Sequence, residues 1–349
     1  MNAPWSAVRG ALPSSAATSL PRSAILASRA FFEVRLRRMF VAAEDGSAPQ
    51  AANHCSRRLA FQRRLSKPHC TVKILRTIAA TRRFRAQTRG RVVLVPTMGA
   101  LHEGHAALIR RARTLAGKSG TVLVSIFVNP AQFGPKEDLS RYPRPFAEDK
   151  QLCASLGADA IFHPPADEMY RGDFSTWVDE STVSAGLCGA SRPGHFRGVC
   201  TVVLKLFTIV QPDVAVFGLK DFQQCAVIAR MVRDLDVPVR LVFAPTVRER
   251  DGLALSSRNV FLSPEERAEA PTLRRALLVA CAAFAKGEHS AGKLMRIVRG
   301  TISACARVDY IAAVDIGTLK PARVVKRGDT IALAAFFGRT RLIDNIQLG

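Results

Sequence analysis

Two histidines, His102 and His105, lie three residues apart shortly after an apolar run at 91–95. That run is typical of a buried strand, and residues 106–116 carry apolar side chains at helical spacing. The segment 96–105 therefore joins a strand to a helix through a glycine-containing turn. A helix N-terminus offers unpaired N–H groups and the positive end of the helix dipole, so it binds anions such as phosphate. The pattern predicts a nucleotide-binding turn.

A zinc site is the first alternative for this histidine pair. Zinc proteases use H-E-x-x-H, because a spacing of four puts both imidazoles on one face of a helix. Here the spacing is three and His102 falls in the turn, which favours two imidazoles that hydrogen-bond an anion. Helix capping is the second alternative, and the pairing around Gly104 makes it the weaker interpretation.

Further polar residues follow apolar runs, and open α/β sheets bind their ligands at the carboxyl ends of strands. Asn129 and Gln132 follow the run 121–128, and their amides suit hydroxyl and carboxylate groups. Lys220 and Asp221 follow the run 214–217. The alternative for this second pair is an exposed ion pair, which contributes little to stability.

Two other segments suit anions. Ser256, Ser257 and Arg258 offer two hydroxyls and one guanidinium, which match phosphate oxygens. Arg192 and His195 precede a predicted helix and form a second anion-compatible turn.

Candidates for a metal site are few. Glu148 and Asp149 are candidates for holding a hydrated Mg²⁺, although acidic residues are also ordinary in the first turn of a helix. The eight cysteines are scattered without a C-x-x-C pair. They predict buried, reduced thiols in a cytosolic protein, without structural zinc or a disulfide framework.

Apolar runs and helical periodicities alternate from residue 72 to about residue 246. This alternation predicts an α/β fold, a Rossmann-like doubly wound parallel sheet. The polar stretch 246–261 suits a mobile junction. Beyond it, helices at 264–285 and 289–307 and three short strands predict a smaller α+β domain. We place the domains at 72–246 and 247–349.

Residues 1–71 form a basic extension rich in Ala, Ser and Arg. The composition suits a transit peptide or a disordered tail. A third interpretation is that translation begins near Val72, because a GTG start codon reads as an internal valine. We expect the extension to be dispensable and the protein to be cytoplasmic, or organellar if the extension is a genuine transit peptide.

The chain has 349 residues and a formal charge of +23. Residues 1–71 hold 11 Lys/Arg and 3 Asp/Glu, and the remainder holds 40 and 25. Without a long basic run interleaved with aromatics, this pattern favours a solvated basic surface and an anion site over a nucleic-acid binder. No apolar run reaches the ~18 residues of a membrane-spanning helix.

Taken together, these segments resemble the pantothenate synthetase (pantoate–β-alanine ligase) family of the nucleotidylyltransferase superfamily. The resemblance runs from about Val72 to the C-terminus. Its motifs occur in the family's order, at 96–99, 102–105, 125–133, 192–196, 217–224 and 251–259.

The resemblance implies a two-step reaction and a homodimer. Pantoate and Mg·ATP would give pantoyl adenylate and pyrophosphate, and β-alanine would then release pantothenate and AMP. No tightly bound organic cofactor is implied. The phosphate and catalytic contacts would come from His102, His105, Lys220, Ser256, Ser257 and Arg258. The other nucleotide contacts would be Pro96, Met98, Gly218 and Asp221, and pantoate would be held by Gln132 and Gln224 with Asn129 nearby.

One position departs from the family pattern. Leu219 stands where the family commonly has a glutamate, beside Lys220. We expect this to affect efficiency rather than reaction type, and Leu219→Glu to keep or improve turnover. Two alternatives stay open: a nucleotidylyltransferase for another acceptor, and a basic nucleic-acid binder on a catalytically impaired fold.

Overall fold

The computed structural model describes residues 72–349 apart from Lys136 and Asp138. Our predictions for the extension 1–71 lie outside these residues. Two sheets organise the described part, one with six parallel strands and one with three antiparallel strands. The predicted α/β class is therefore confirmed.

The parallel sheet forms where the sequence has short apolar runs. Val93, Leu94 and Val95 are completely buried, as expected for a strand covered on both faces. The strand order β1-β4-β3-β2-β5-β6 leaves a crevice where connections diverge, at the carboxyl ends of β2 and β5. The strands are β1 (Lys73–Leu75), β2 (Val92–Thr97), β3 (Thr121–Ile126), β4 (Ala160–Phe162), β5 (Val214–Gly218) and β6 (Arg240–Ala244).

Helices cover both faces of this sheet and enclose two apolar clusters. Gly198 permits a close approach between the helix His195–Val210 and the loop after β3, because a Cβ there would overlap the backbone of Ala131. The helices of this part are α1 (Ile78–Gln87), α2 (Glu103–Ala116), α3 (Phe146–Ser155), α4 (Ala166–Met169), α5 (Cys188–Ser191), α6 (His195–Val210) and α7 (Phe222–Asp234).

The C-terminal part surrounds a third apolar cluster. Its elements are α8 (Pro264–Glu269), α9 (Thr272–Ala285), α10 (Ala291–Thr301), β7 (Ala306–Val314), β8 (Thr330–Phe337) and β9 (Thr340–Gln347). Val314 and Ile316 extend into the core of the parallel sheet, so the two parts pack directly against each other.

Two predicted helices were too long. The helix predicted at 264–285 is divided in two at Pro271, whose ring removes a backbone N–H donor. The helix predicted at 289–307 ends at Thr301, after Gly300, and β7 begins at Ala306. Within the described residues, no helix has the length and apolar character needed to cross a membrane.

Candidate active site

The turn between β2 and α2 is held by a buried carboxylate. Gly99 and Ala100 have φ values of +85° and +51°, in the left-handed region that favours glycine. Asp149 on α3 accepts hydrogen bonds from the backbone N–H groups of Ala100 at 2.9 Å and Leu101 at 2.7 Å. Burial raises the pKa of Asp149, while these two N–H groups oppose the shift. Asp149 therefore stabilises an uncommon backbone conformation directly before the histidine pair.

The two histidines cap the helix that they begin. His102 is the N-cap of α2, and its Nδ1 accepts from the Gly104 N–H at 3.1 Å. His105 Nδ1 accepts from the His102 N–H at 3.3 Å, which completes a reciprocal capping box. Helix capping, the weaker interpretation of the sequence, is therefore present in the structure. Since each neutral ring accepts through Nδ1, its proton lies on Nε2.

Both imidazoles are neutral at pH 7. Burial lowers the pKa of His102 to about 4, and the Lys220 ammonium lowers it further while Asp221 opposes the shift. Burial lowers the pKa of His105 to about 3, with additional contributions from His102 and Lys220. Neither Nε2–H has a hydrogen-bond partner within the described residues. The pair offers two neutral donors without an intramolecular acceptor.

These donors line a cleft of about 220 Å³ at the carboxyl ends of β2 and β5. The cleft has an apolar wall, to which Phe127, Val199, Val202 and Val203 contribute. It brings together most of the residues predicted from the sequence, namely Pro96, Met98, His102, His105, Asn129, Gln132, Arg192, His195, Gly218, Lys220, Asp221, Gln224, Ser256, Ser257 and Arg258.

Gln132 and Asn129 have different roles in this cleft. Gln132 Nε2 donates to Met98 Sδ at 3.0 Å, and Asn129 Nδ2 donates to Gln132 Oε1 at 3.1 Å. The Asn129 amide also donates to the Gly198 carbonyl at 3.1 Å and accepts from the Tyr170 hydroxyl at 2.9 Å. Asn129 is only 1% exposed. Its contacts favour the positioning of Gln132 over direct substrate binding.

The predicted anion contacts at Arg192 and His195 are engaged within the protein. Arg192 Nε donates to Glu137 Oε1 at 2.8 Å, and its guanidinium lies 3.0 Å from His195 Nε2. His195 Nδ1 donates to the Gln132 carbonyl at 2.8 Å, so Nε2 of the neutral ring accepts from Arg192. Burial, then the Arg192 charge, lowers the pKa of His195 to about 4. This turn therefore braces the backbone of Gln132.

Cationic groups enter the cleft from the sheet edge and from the junction. Lys220 Nζ lies 3.9 Å from Asp221 Oδ1, and the Asp221 side chain is 47% exposed. Ser256 caps the 3₁₀ turn Ser257–Phe261 by accepting from the Arg258 N–H at 3.2 Å. This turn lies in the junction 246–261 and faces α2 across the cleft, and the mobility of the junction stays a prediction.

Neither predicted Mg²⁺ residue lines this cleft. The Asp149 oxygens accept the backbone N–H groups of the turn, and Glu148 does not border the cleft. Within the described residues, no three His, Cys, Asp or Glu side chains form a group able to hold a metal. A Mg²⁺ role for Glu148 and Asp149 stays a prediction, and their contacts favour a structural role for Asp149.

The Leu219 side chain lies in the apolar core and does not face the cleft. It is 8% exposed, belongs to the apolar cluster of the parallel sheet, and does not line the cleft. A glutamate introduced at this position would bury a carboxylate among apolar side chains. The expectation that Leu219→Glu keeps or improves turnover therefore lacks geometric support.

Comparisons with known proteins point to a single family. The chain matches the family described as pantoate-beta-alanine ligase over residues 71–347. It is 51% identical over 282 residues to the pantothenate synthetase of Moorella thermoacetica, covering 79% of this chain and 99% of that protein. Its identity to the pantothenate synthetase of Desulfovibrio desulfuricans is 54% over 260 residues, covering 74% and 91%.

Solved structures are also similar. The pantothenate synthetase of Thermus thermophilus has a TM-score of 0.75 at 46% identity, covering 79% of this chain and 99% of that chain. The pantoate-beta-alanine ligase of Francisella tularensis, complexed with beta-gamma ATP and beta-alanine, has a TM-score of 0.64 at 32% identity, covering 79% and 97%. The resemblance drawn from the sequence is confirmed: this chain belongs to the pantoate–β-alanine ligase family, a family of ligases that form pantothenate.

Proposed function

We propose that this ligase activates pantoate with ATP as pantoyl adenylate and then transfers the pantoyl group to β-alanine. The observation that carries the proposal is the 220 Å³ cleft, where two neutral imidazole donors and two cations lie beside amides and an apolar wall. The ATP and β-alanine named for the Francisella tularensis complex support the choice of substrates.

The first step transfers an adenylyl group. A pantoate carboxylate oxygen attacks the α-phosphorus of ATP, and the bond to the oxygen that bridges the α- and β-phosphates breaks. Pyrophosphate leaves with its charge balanced by Mg²⁺, which enters with ATP as part of the substrate. Lys220, Arg258 and the Nε2–H groups of His102 and His105 stabilise the phosphate charge. The enzyme contributes positioning and electrostatics, without a covalent protein intermediate.

Pantoate has one carboxylate, two hydroxyls and two methyl groups, and the cleft offers groups complementary to each. The amides of Gln132 and Gln224 hydrogen-bond the polar groups, while Val199 and Val202 contact the methyl groups. Asp221 is the carboxylate that borders the cleft among the described residues, so it is placed to meet hydrated Mg²⁺. In the second step, the neutral β-alanine amine attacks the acyl carbon, the bond from that carbon to the phosphate oxygen breaks, AMP leaves, and the amine loses one proton to solvent.

The test follows pyrophosphate release from ATP with pantoate, and then AMP formation after β-alanine is added. Pyrophosphate release should require both ATP and pantoate. Lys220→Ala should lower turnover by about 10²-fold or more with an unchanged melting temperature, because it removes a charge that stabilises the transition state. Near-normal turnover in this variant would contradict the role of Lys220.

The same assay separates the alternatives. Pyrophosphate release with another acid but not with pantoate would indicate a different acceptor. Absence of the reaction, together with DNA binding that weakens steeply as salt rises, would favour the basic nucleic-acid binder. The homodimer, the cytoplasmic location and the dispensability of residues 1–71 stay predictions. Light scattering and the activity of a chain that begins at Val72 test the first and the last of these.

A further inference from the structure

The small C-terminal sheet contacts the segments that carry the cationic groups of the cleft. β9 packs against the 3₁₀ turn Leu219–Asp221, which holds Lys220, and against the 3₁₀ turn Ser257–Phe261, which holds Arg258. Two neighbouring residues of β9, Asp344 and Asn345, make the polar contacts. Neither residue lines the 220 Å³ cleft, and both border the adjoining cavity of about 1230 Å³, which shares Lys220 and Arg258 with the cleft.

Asn345 fixes the backbone on both sides of Lys220. Its Nδ2 group donates to the Leu219 carbonyl at 3.0 Å and to the Lys220 carbonyl at 3.1 Å. These carbonyls belong to the two peptide groups that flank the Lys220 Cα atom. Holding both peptide groups restricts the φ and ψ angles of Lys220 and so the direction in which its side chain leaves the backbone. The turn has no side-chain cap of its own.

Asp344 holds the opposite segment through Arg248. The Asp344 carboxylate is 4% exposed and accepts from Arg248 Nη1 at 2.7 Å and Nη2 at 2.8 Å. Arg248 Nη1 also donates to the Gly252 carbonyl at 3.1 Å, within the segment that leads to Ser256. A bidentate pair of this kind fixes orientation as well as distance. Adjacent residues of one strand therefore hold both cationic segments.

We propose that Asn345 is a positioning residue for the adenylation step, and that it acts by orienting Lys220. Asp344 supports the same arrangement from the other side of β9. The inference rests on the proposed function, because Lys220 has a substrate to contact only if ATP occupies the cleft. β9 thus couples the C-terminal part of the chain to the phosphate-binding groups.

The test replaces Asn345 by leucine, which is similar in size and cannot donate. Asn345→Leu should lower the kcat of pantoate-dependent pyrophosphate release by roughly 10- to 100-fold, as expected for a misplaced catalytic group. The KM for pantoate should stay unchanged, because other residues hold Gln132.

Gln347→Leu is the matched control. Gln347 lies on the same face of β9, its amide donates to the Gly328 carbonyl at 3.2 Å, and the variant should keep its kcat.

A double-mutant cycle with Lys220→Ala tests whether Asn345 acts through Lys220. Isothermal titration should show that Asn345→Leu weakens ATP binding in the wild-type chain and adds no further loss to Lys220→Ala. Equal losses in both backgrounds, or a kcat loss in Gln347→Leu that matches Asn345→Leu, would overturn the inference. Failure of the wild-type chain to release pyrophosphate with pantoate would instead overturn the proposed function.

Discussion

Two helix starts in this molecule carry similar residues and use them differently. His102 and His105 begin α2, and Arg192 and His195 stand at the start of α6. Burial lowers the pKa of all three histidines, so each imidazole is neutral at pH 7. At α2, Nδ1 accepts from the backbone and the Nε2–H is without a partner among the described residues. At α6, both nitrogens of His195 contact protein groups.

The comparison shows that residue type and helix position do not decide whether a histidine can bind substrate. The deciding feature is the partner of the second ring nitrogen. Backbone caps use one nitrogen of His102 and of His105, which fixes each ring and leaves one donor for a ligand. At the Arg192–His195 turn, all three guanidinium nitrogens and both imidazole nitrogens contact protein groups. We therefore expect its contribution to function to pass through Gln132.

The largest effect is expected at His102, where a substitution can separate helix capping from catalysis. His102→Asn keeps an N-cap acceptor, because asparagine is among the best capping residues, and it removes the Nε2–H donor. We expect turnover to fall by about 10²- to 10³-fold, as for loss of a transition-state donor, with a melting temperature close to that of the wild type. His102→Ala should lose turnover equally and also about 1 kcal/mol of unfolding free energy. Normal turnover in His102→Asn would show that capping is its only role.

A smaller effect is expected at the second helix start. Arg192→Met and Glu137→Gln each weaken the same brace, so both should raise the KM for pantoate, by roughly 10-fold, and leave the KM for ATP unchanged. Steady-state kinetics with each substrate varied in turn makes the measurement. If Arg192 instead contacts phosphate, Arg192→Met would raise the KM for ATP and Glu137→Gln would have little effect.

The smallest effect concerns stability in acid. Below pH 6.5 an unfolded histidine gains a proton, whereas His105, with a pKa of about 3, stays neutral in the folded protein. Proton uptake by the unfolded residue therefore lowers the free energy of unfolding as the pH falls from about 6.5 towards 3, by at most about 1.4 kcal/mol per pH unit. His105→Gln keeps the capping-box acceptor and removes this proton uptake. Its melting temperature should fall less steeply between pH 6.5 and 4.5, and equal slopes would contradict the buried, neutral imidazole.

The sequence predicted the central elements because their patterns are local. The strands at 92–97, 121–126 and 214–218 are nearly continuous apolar runs, which a doubly covered parallel sheet requires. The start of α2 was predicted three residues too late, at 106 instead of Glu103, because a histidine N-cap has no strong propensity signal. The motifs at 102–105 and 217–224 lie around one cleft because parallel strands end at one edge, and residues 256–258 reach the same cleft from the junction after β6.

The residues that support this site could not be predicted in the same way. Asp149 lies 48 residues from Leu101, and Asn345 lies 125 residues from Lys220, so their partners are set by tertiary packing. The sequence makes Asp149, in the first turn of α3, a metal candidate because the local pattern contains no sign of the distant backbone donors. The turn after β5 likewise sets the direction of the Leu219 side chain, and the local sequence does not predict that direction.

The protonation states of His102, His105 and His195 decide whether the first helix start offers free donors and the second does not. Long-range ¹H–¹⁵N correlation spectra of protein labelled at histidine nitrogens distinguish the two neutral tautomers and the imidazolium form. At pH 7 we expect neutral rings protonated at Nε2 for His102 and His105, and a neutral ring protonated at Nδ1 for His195. An imidazolium or an Nδ1-protonated ring at His102 or His105 would contradict this expectation.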